Sequence, residues 1–421
     1  MIRGKWTYIS IFEAYLGFFV FSMALFPRII GMAFIPLIII YAVGIVKRKF
    51  TFRLDFITIL FVALYLTYLV GAFFTNDELA AFKTLEYKLS LLLIPVLFSF
   101  KPKVWISIKK PILGLISGSI LAMFYGLFSA IQCYQNGGDG LCFLTTSISP
   151  ILHPSYFMVY VALGMVGSWY GYRMNWRGFN WYSVLLFILT GIVFHGLALS
   201  LSGILFLMLA AGGIMFYYVV KKWRLLGGLL SLLVLPVIGY FIVTTVPQVE
   251  GEWNGAKWYA DEYFESPENF ISTRKYPMSG SEVRLVMWSV SVSEFLSAPW
   301  GSGTGNSRSQ LANRLKLVNQ PELAEKGLNT HNQFLETAVE VGFIGLLLLF
   351  LIILYGLRIG VKYKNWLLLF LIFSLAFNCL FESMLQRQAG IVFYTFWIFL
   401  SLNVSELNYR NSEMKIKVKG D

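Results

Sequence analysis

Apolar residues run through this chain in blocks of about 16 to 26, separated by short polar breaks. Twelve blocks are long enough to read as helices crossing a bilayer, near residues 8–26, 29–46, 56–74, 85–100, 112–131, 155–172, 182–199, 202–220, 226–246, 332–357, 366–383 and 389–405. A helix needs roughly 20 mostly apolar residues to cross about 30 Å of hydrocarbon. Strands of a membrane barrel would instead alternate over about 10 residues. The pattern therefore predicts an all-α polytopic membrane protein with about twelve transmembrane helices. The block at 85–100 is short, and those at 182–199 and 202–220 are nearly continuous, so eleven and thirteen stay open. The chain divides into transmembrane helices at 1–246, a long loop at 247–330, three further helices at 331–405 and a basic tail at 406–421.

Composition agrees with this reading. Of 421 residues, 57% are hydrophobic and 13% charged, and mean hydropathy is +0.68. A soluble domain carries about 25% charged residues, so a water-soluble enzyme is excluded. The formal net charge of +12 would suggest nucleic acid in a soluble protein, but here it marks sidedness instead. Lys and Arg stay on the cytoplasmic side of short loops. With the N-terminus inside, 22 of the 34 basic residues fall on cytoplasmic segments. Only Arg28, Lys83, Lys88 and Arg387 fall on short outer ones. Both termini are then cytoplasmic and the long loop is periplasmic.

Cys133 and Cys142 share an outer loop, where a disulfide and two unrelated thiols are both open readings. Cys379 reads as packing. No CxxC or Cys/His spacing exists to hold zinc. Loops as long as 247–330 are usually functional or disordered. Residues 250–278 mix acids with aromatics, suited to sugar rings or to lipid headgroups. Ser279-Gly-Ser-Glu282 has capping-box spacing. Leu285, Trp288, Val292 and Phe295 follow at helical intervals, so an amphipathic helix is predicted to about residue 296, with Arg284 in its first turn. Gly301-Ser-Gly-Thr-Gly305 reads as a tight turn and not as a phosphate loop, since no Lys-Ser/Thr follows.

Thr330 and Gln333 again have capping-box spacing, which makes His331 a first helical residue. The partial positive charge at a helix start disfavours imidazolium there, leaving His331 as a candidate proton acceptor. Glu336 and Glu340 make a polar stripe below it, and Gly342 and Gly345 read as helix-packing positions. Carboxylates inside a span usually face a cavity or a partner.

Taken together, Ser281-Glu-Val-Arg284-Leu-Val-Met-Trp288, Gly301-Ser-Gly303-Thr-Gly305, His331-Asn-Gln-Phe-Leu335 and Gly342-Phe-Ile-Gly345 resemble the signature of the O-antigen ligase/polymerase superfamily. His153-Pro-Ser-Tyr156 and the stretch from Glu382 to Gly390 also look like segments of some members. One departure stands out. Where many relatives carry a Ser-Arg pair, Leu199-Ser-Leu-Ser-Gly203 has no basic residue, and Arg387 or Lys88 is the candidate replacement.

The resemblance implies a GT-C-like inner-membrane glycosyltransferase that needs neither metal nor cofactor. Its donor would be a glycan on undecaprenyl diphosphate, and its acceptor a hydroxyl, most plausibly on lipid A-core. Polymerase and protein O-oligosaccharyltransferase share the motifs. Arg284 is the candidate for stabilising the leaving diphosphate and His331 for receiving the acceptor's proton. Trp288, Asn332, Glu336, Arg387, His153 and Lys88 are candidate substrate-binding residues. The rival of another class is a transporter or flippase for a lipid-linked solute. It draws on Glu13, Glu336, Glu340 and His195, while no internal repeat or pair of broken helices supports it.

Overall fold

A computed structural model describes residues 7–418 apart from 105, 199–200, 233–236, 238–239, 242–243 and 246. Helices account for about four-fifths of them. The strands among the described residues, Phe50–Phe52 and Phe100–Pro102, pair antiparallel with Thr51 opposite Lys101. Five helical stretches are long and apolar enough to cross a membrane: Tyr8–Leu25, Pro27–Val46, Phe56–Phe74, Lys109–Gln135 and Gln333–Lys362. Four apolar helices are shorter: Trp181–Leu197, Ser202–Gly213, Trp366–Asn378 and Gln388–Val404. This is the architecture of a multi-pass membrane protein.

The first helix and Lys109–Gln135 lie almost backbone to backbone. A side-chain carbon at Gly114 would sit 2.0 Å from the Gly17 carbonyl oxygen, and one at Gly118 would sit 2.9 Å from Ala24. Small residues at such contacts let apolar helices associate where no hydrophobic drive separates protein from lipid tails. The last helix, Gln388–Val418, runs through the centre, with Ile391, Phe393, Phe396, Trp397 and Leu400 fully buried.

Several expected spans are corrected. The block at 85–100 is divided between two helices, Glu78–Lys88 and Ser90–Ser99, with Leu89 between them and Lys88 buried at the end of the first. The block at 366–383 stops at Asn378, where the chain leaves the helix to form a loop before Gln388. The block at 226–246 lies partly outside the described residues, and residues 226–232 continue the helix Leu201–Leu232. Cys133 and Cys142 are joined in a disulfide, and Cys379 is buried and free.

Residues 247–330 fold as helices at Pro247–Glu265, Pro267–Thr273, Gly280–Ser297, Ser307–Leu317 and Pro321–Glu325. They bury an apolar core of their own around Phe270, Val286, Met287, Val290, Leu311, Leu315 and Leu323. Arg274 joins Glu262 and Glu282 and lies 4.4 Å over the Phe270 ring. The acidic, aromatic stretch is thus largely a helix with internal partners, although Trp258 and Phe264 remain exposed.

The capping box of Ser279 and Glu282 forms as predicted, and its helix ends at Ser297. The expected apolar face is only partly right. Val286, Met287 and Val290 are buried, whereas Val292 is 44% exposed. Glu294 can lie on the buried face because Arg314 donates to it at 2.6 Å.

Candidate active site

The helix Gln333–Lys362 carries a break that positions the site. Val341 and Gly342 are non-helical, and Gly342 has φ +66° and ψ −160°, a region essentially open to glycine alone. A break frees backbone groups that must find other partners. The turn after Pro299 supplies them. Ser302 N–H donates to Val339 O at 2.8 Å, Gly303 N–H to Glu340 O at 3.1 Å, and Phe343 N–H to Pro299 O at 2.9 Å. The Gly301–Gly305 turn is therefore the plug of a broken helix. Gly342, expected as a packing position, is the hinge it docks on.

Glu336 and Glu340 are bound up in the same docking. Glu336 accepts from Ser307 Oγ at 2.7 Å, the Thr330 amide at 2.9 Å and Gln386 Nε2 at 3.1 Å. Glu340 accepts from Gln386 Nε2 at 2.8 Å and the Gly305 amide at 3.3 Å, and Lys88 Nζ stands 3.7 Å away. Lys88 is fully buried, donates to Leu385 O at 3.0 Å, and sits 4.1 Å over the Tyr68 ring. The two carboxylates and this lysine fasten the loop to the helices. None of the three lines the cavity described next.

A cavity of about 360 Å³ opens beside this knot. Its wall includes Thr146, His153, Ala260, Arg284, Leu285, Trp288 and Phe381. Arg284 Nε donates to Phe381 O at 3.4 Å and Nη1 to Gly280 O at 3.3 Å. Both are long bonds that leave further donors of the guanidinium uncommitted. Trp288 Nε1 is buried with no partner among the described residues, a donor in want of an acceptor.

His331 departs from its expected place. The helix cap is Asn332, whose side chain accepts from the Phe334 and Leu335 amides, while its Nδ2 donates to Leu380 O at 3.1 Å. Asn332 is thus committed to the fold. His331 lies outside the helix at φ +49°, so the capping box with Thr330 and the helix-start argument for its charge both fall away. What faces it is a carboxylate: His331 Nδ1 stands 3.6 Å from Glu382 Oε1. That is ion-pair distance, too long for a hydrogen bond.

Glu382 is buried, which alone would push its carboxyl up. His331 first, then His153 and the Ser383 amide, outweigh burial and hold it below the ordinary carboxylate value. Burial lowers the His153 imidazole, with Arg387, His331 and Arg284 reinforcing the shift and Glu382 opposing it. His153, His331, Glu382, Arg284 and the exposed Arg387 are thus electrostatically coupled; His153 and Arg284 line the cavity, whereas His331, Glu382 and Arg387 are not in its wall. The sequence reading singled out the stretch from Glu382 to Gly390 by resemblance but gave Glu382 itself no role. A carboxylate closing an apolar run just before a polar loop was the signal available.

In class, this is a membrane-embedded helical protein with cationic and imidazole groups gathered around a cavity at one end of the bundle. Residues 184–350 match the family model described as O-antigen ligase, which bears out the resemblance over the stretch matched. The match implies a glycosyltransferase-like enzyme of the O-antigen ligase/polymerase type. Arg284, Trp288, His331, Asn332 and Glu336 lie inside it, and Lys88, His153, Glu382 and Arg387 outside. No curated protein matches the chain. The stretch read as lacking the Ser-Arg pair, Leu199 to Gly203, falls partly outside the described residues, at 199–200.

Proposed function

We propose that the protein transfers a glycan from undecaprenyl diphosphate to an acceptor hydroxyl at the periplasmic face of the inner membrane, with lipid A-core as the first-choice acceptor. The acceptor oxygen attacks the anomeric carbon and its proton passes to His331. The anomeric carbon–oxygen bond to the diphosphate breaks, and undecaprenyl diphosphate departs with the electron pair. Glu382 orients the imidazole and offsets the charge it gains. Arg284 meets the leaving diphosphate, where fixed charge in a water-poor site stabilises a transition state most, and guanidinium matches phosphate oxygens in pairs. His153 and Arg387 extend the cationic side, and the Trp288 N–H offers a donor to sugar or phosphate. The prenyl chain enters from the bilayer between apolar helices.

The observation carrying this reading is that Arg284, in the cavity wall, and His331, outside it, reach consecutive residues, Phe381 and Glu382. The groups on which the transporter reading draws have partners within the fold, His195 Nε2 excepted. Glu13 accepts from the Ser107 amide at 2.7 Å and stands 3.7 Å from Lys110, and His195 Nδ1 meets Gly191 O at 2.8 Å. Glu336 and Glu340 hold the loop.

The test is reconstitution. Purified full-length protein in nanodiscs is supplied with undecaprenyl diphosphate-linked glycan and a panel of lipid A-core, glycan and peptide hydroxyl acceptors. A new glycoside on lipid A-core supports the ligase assignment, and one on glycan or peptide moves it to polymerase or protein glycosyltransferase. No glycoside with any acceptor overturns the reading.

A further inference from the structure

A second polar cavity lies at the opposite end of the broken helix. That helix begins at Gln333 beside His331 and ends at Lys362; at about 1.5 Å per residue its part beyond the break spans roughly 30 Å. This cavity measures about 210 Å³, and its wall includes Arg53, Asp55, Phe56, Tyr355, Arg358 and Lys362. Three basic residues face one acid there. The acid is already engaged: Asp55 Oδ1 stands 3.4 Å from Arg53 Nε, and Oδ2 pairs with Lys101 from the neighbouring strand. Among the described residues, the wall therefore keeps a net positive charge.

Arg358 and Lys362 sharpen the point. They stand four residues apart on one helix face, where like charges repel and destabilise the helix. Both are exposed, and the acid in the wall belongs to another pair. An anion seated between them would relieve the repulsion. Phe56 and Tyr355 meet edge to face at 4.9 Å and form an apolar floor, suited to the glycerol or acyl start of a lipid and not to a bare ion. Basic pockets between transmembrane helices are general receptors for anionic headgroups.

We infer that this cavity binds a phosphate-bearing group, supplied by an anionic phospholipid, independently of the reaction proposed for the distal cavity. The phosphate oxygens meet Arg358 and Lys362, and the glycerol lies over Phe56 and Tyr355.

The experiment titrates the detergent-purified full chain with short-chain phosphatidylglycerol, short-chain phosphatidylcholine and inorganic phosphate, reading bound species by native mass spectrometry. Wild type retains phosphatidylglycerol in preference to phosphatidylcholine. The Arg358→Gln/Lys362→Gln double variant binds it about 30-fold more weakly, from two surface charges at their usual strength. Lys364→Gln, which removes an exposed charge outside the cavity, weakens binding by no more than about fivefold, the value for one surface charge. If inorganic phosphate competes as well as the lipid and is lost in the same double variant, the phosphate site stands and its source is soluble. Equal binding by wild type and the double variant with both probes overturns the inference. So does a loss in Lys364→Gln as large as that of the double variant.

Discussion

Replacing Glu382 with Gln removes one charge and keeps the shape of the side chain. The carboxylate is 7% exposed, stands 3.6 Å from His331 Nδ1 and accepts from the Ser383 amide at 3.0 Å, a bond that Gln can still accept. At an effective dielectric of about 20, unit charges at that distance attract by about 4–5 kcal/mol. Only the part of this that appears as the imidazole takes up a proton lowers the barrier. With about 1.4 kcal/mol per factor of ten, the ceiling is about a thousandfold, and a fall in kcat of roughly 10²–10³ is the expected outcome. The donor KM should hardly move, because this carboxylate faces the base and not the leaving group. Glu382→Asp should recover part of the rate. The assay is steady-state transfer by reconstituted protein, with thermal unfolding of each variant measured alongside. A kcat within threefold of wild type refutes the role given to Glu382. So does a rate loss that tracks a lowered Tm in both variants.

Other outcomes follow from the same geometry. Arg284→Lys keeps the charge but loses the paired donors; kcat/KM should fall on the order of 10- to 100-fold with Tm unchanged, since its two backbone bonds are long. Gly342→Ala would place a carbon 2.2 Å from Trp300 C and 2.5 Å from Pro299 O, backbone atoms that cannot step aside. The strained conformation costs about 1–3 kcal/mol and each lost turn bond about 1 kcal/mol, so Tm should drop by several degrees. Gly345→Ala meets the Val341 side chain instead and should drop less. His153 is held below its ordinary value by burial. Its contribution to stability is therefore complete above about pH 6.5 and is lost as pH falls through the lower folded value. Thermal scans from pH 8 to pH 5 should show that decline, and His153→Gln should flatten it.

How much was legible in the sequence depended on how local the cause was. The capping box at Ser279 and Glu282 depends on residues three apart, and it formed with Arg284 where expected. Thr330 and Gln333 have the same spacing, yet Asn332 caps the helix. Gln333 is drawn away to the Leu385 amide at 2.5 Å, a tertiary partner that no spacing reveals, and donates to Thr337 one turn on at 3.0 Å. Hydropathy found the long helices but misjudged 85–100 and 366–383. An apolar run says nothing of whether its chain divides beside a buried lysine or leaves the helix to present a glutamate. Lys88 was read as an outer cation from loop counting, and the structure instead spends it on Glu340. His153 and Arg387, some 230 residues apart in the chain, were tied to Arg284 in advance only by family resemblance. The breaking of the helix at Gly342 follows from contact with Pro299 and Trp300, and it too lies beyond any window of neighbouring residues.

The most direct measurement is the single-turnover rate of glycan transfer by His331→Ala in nanodiscs, with binding of the lipid-linked donor measured on the same sample. The account predicts donor binding within a few fold of wild type and a transfer rate lowered by about 10²–10⁴. Transfer at the wild-type rate with donor bound would contradict it.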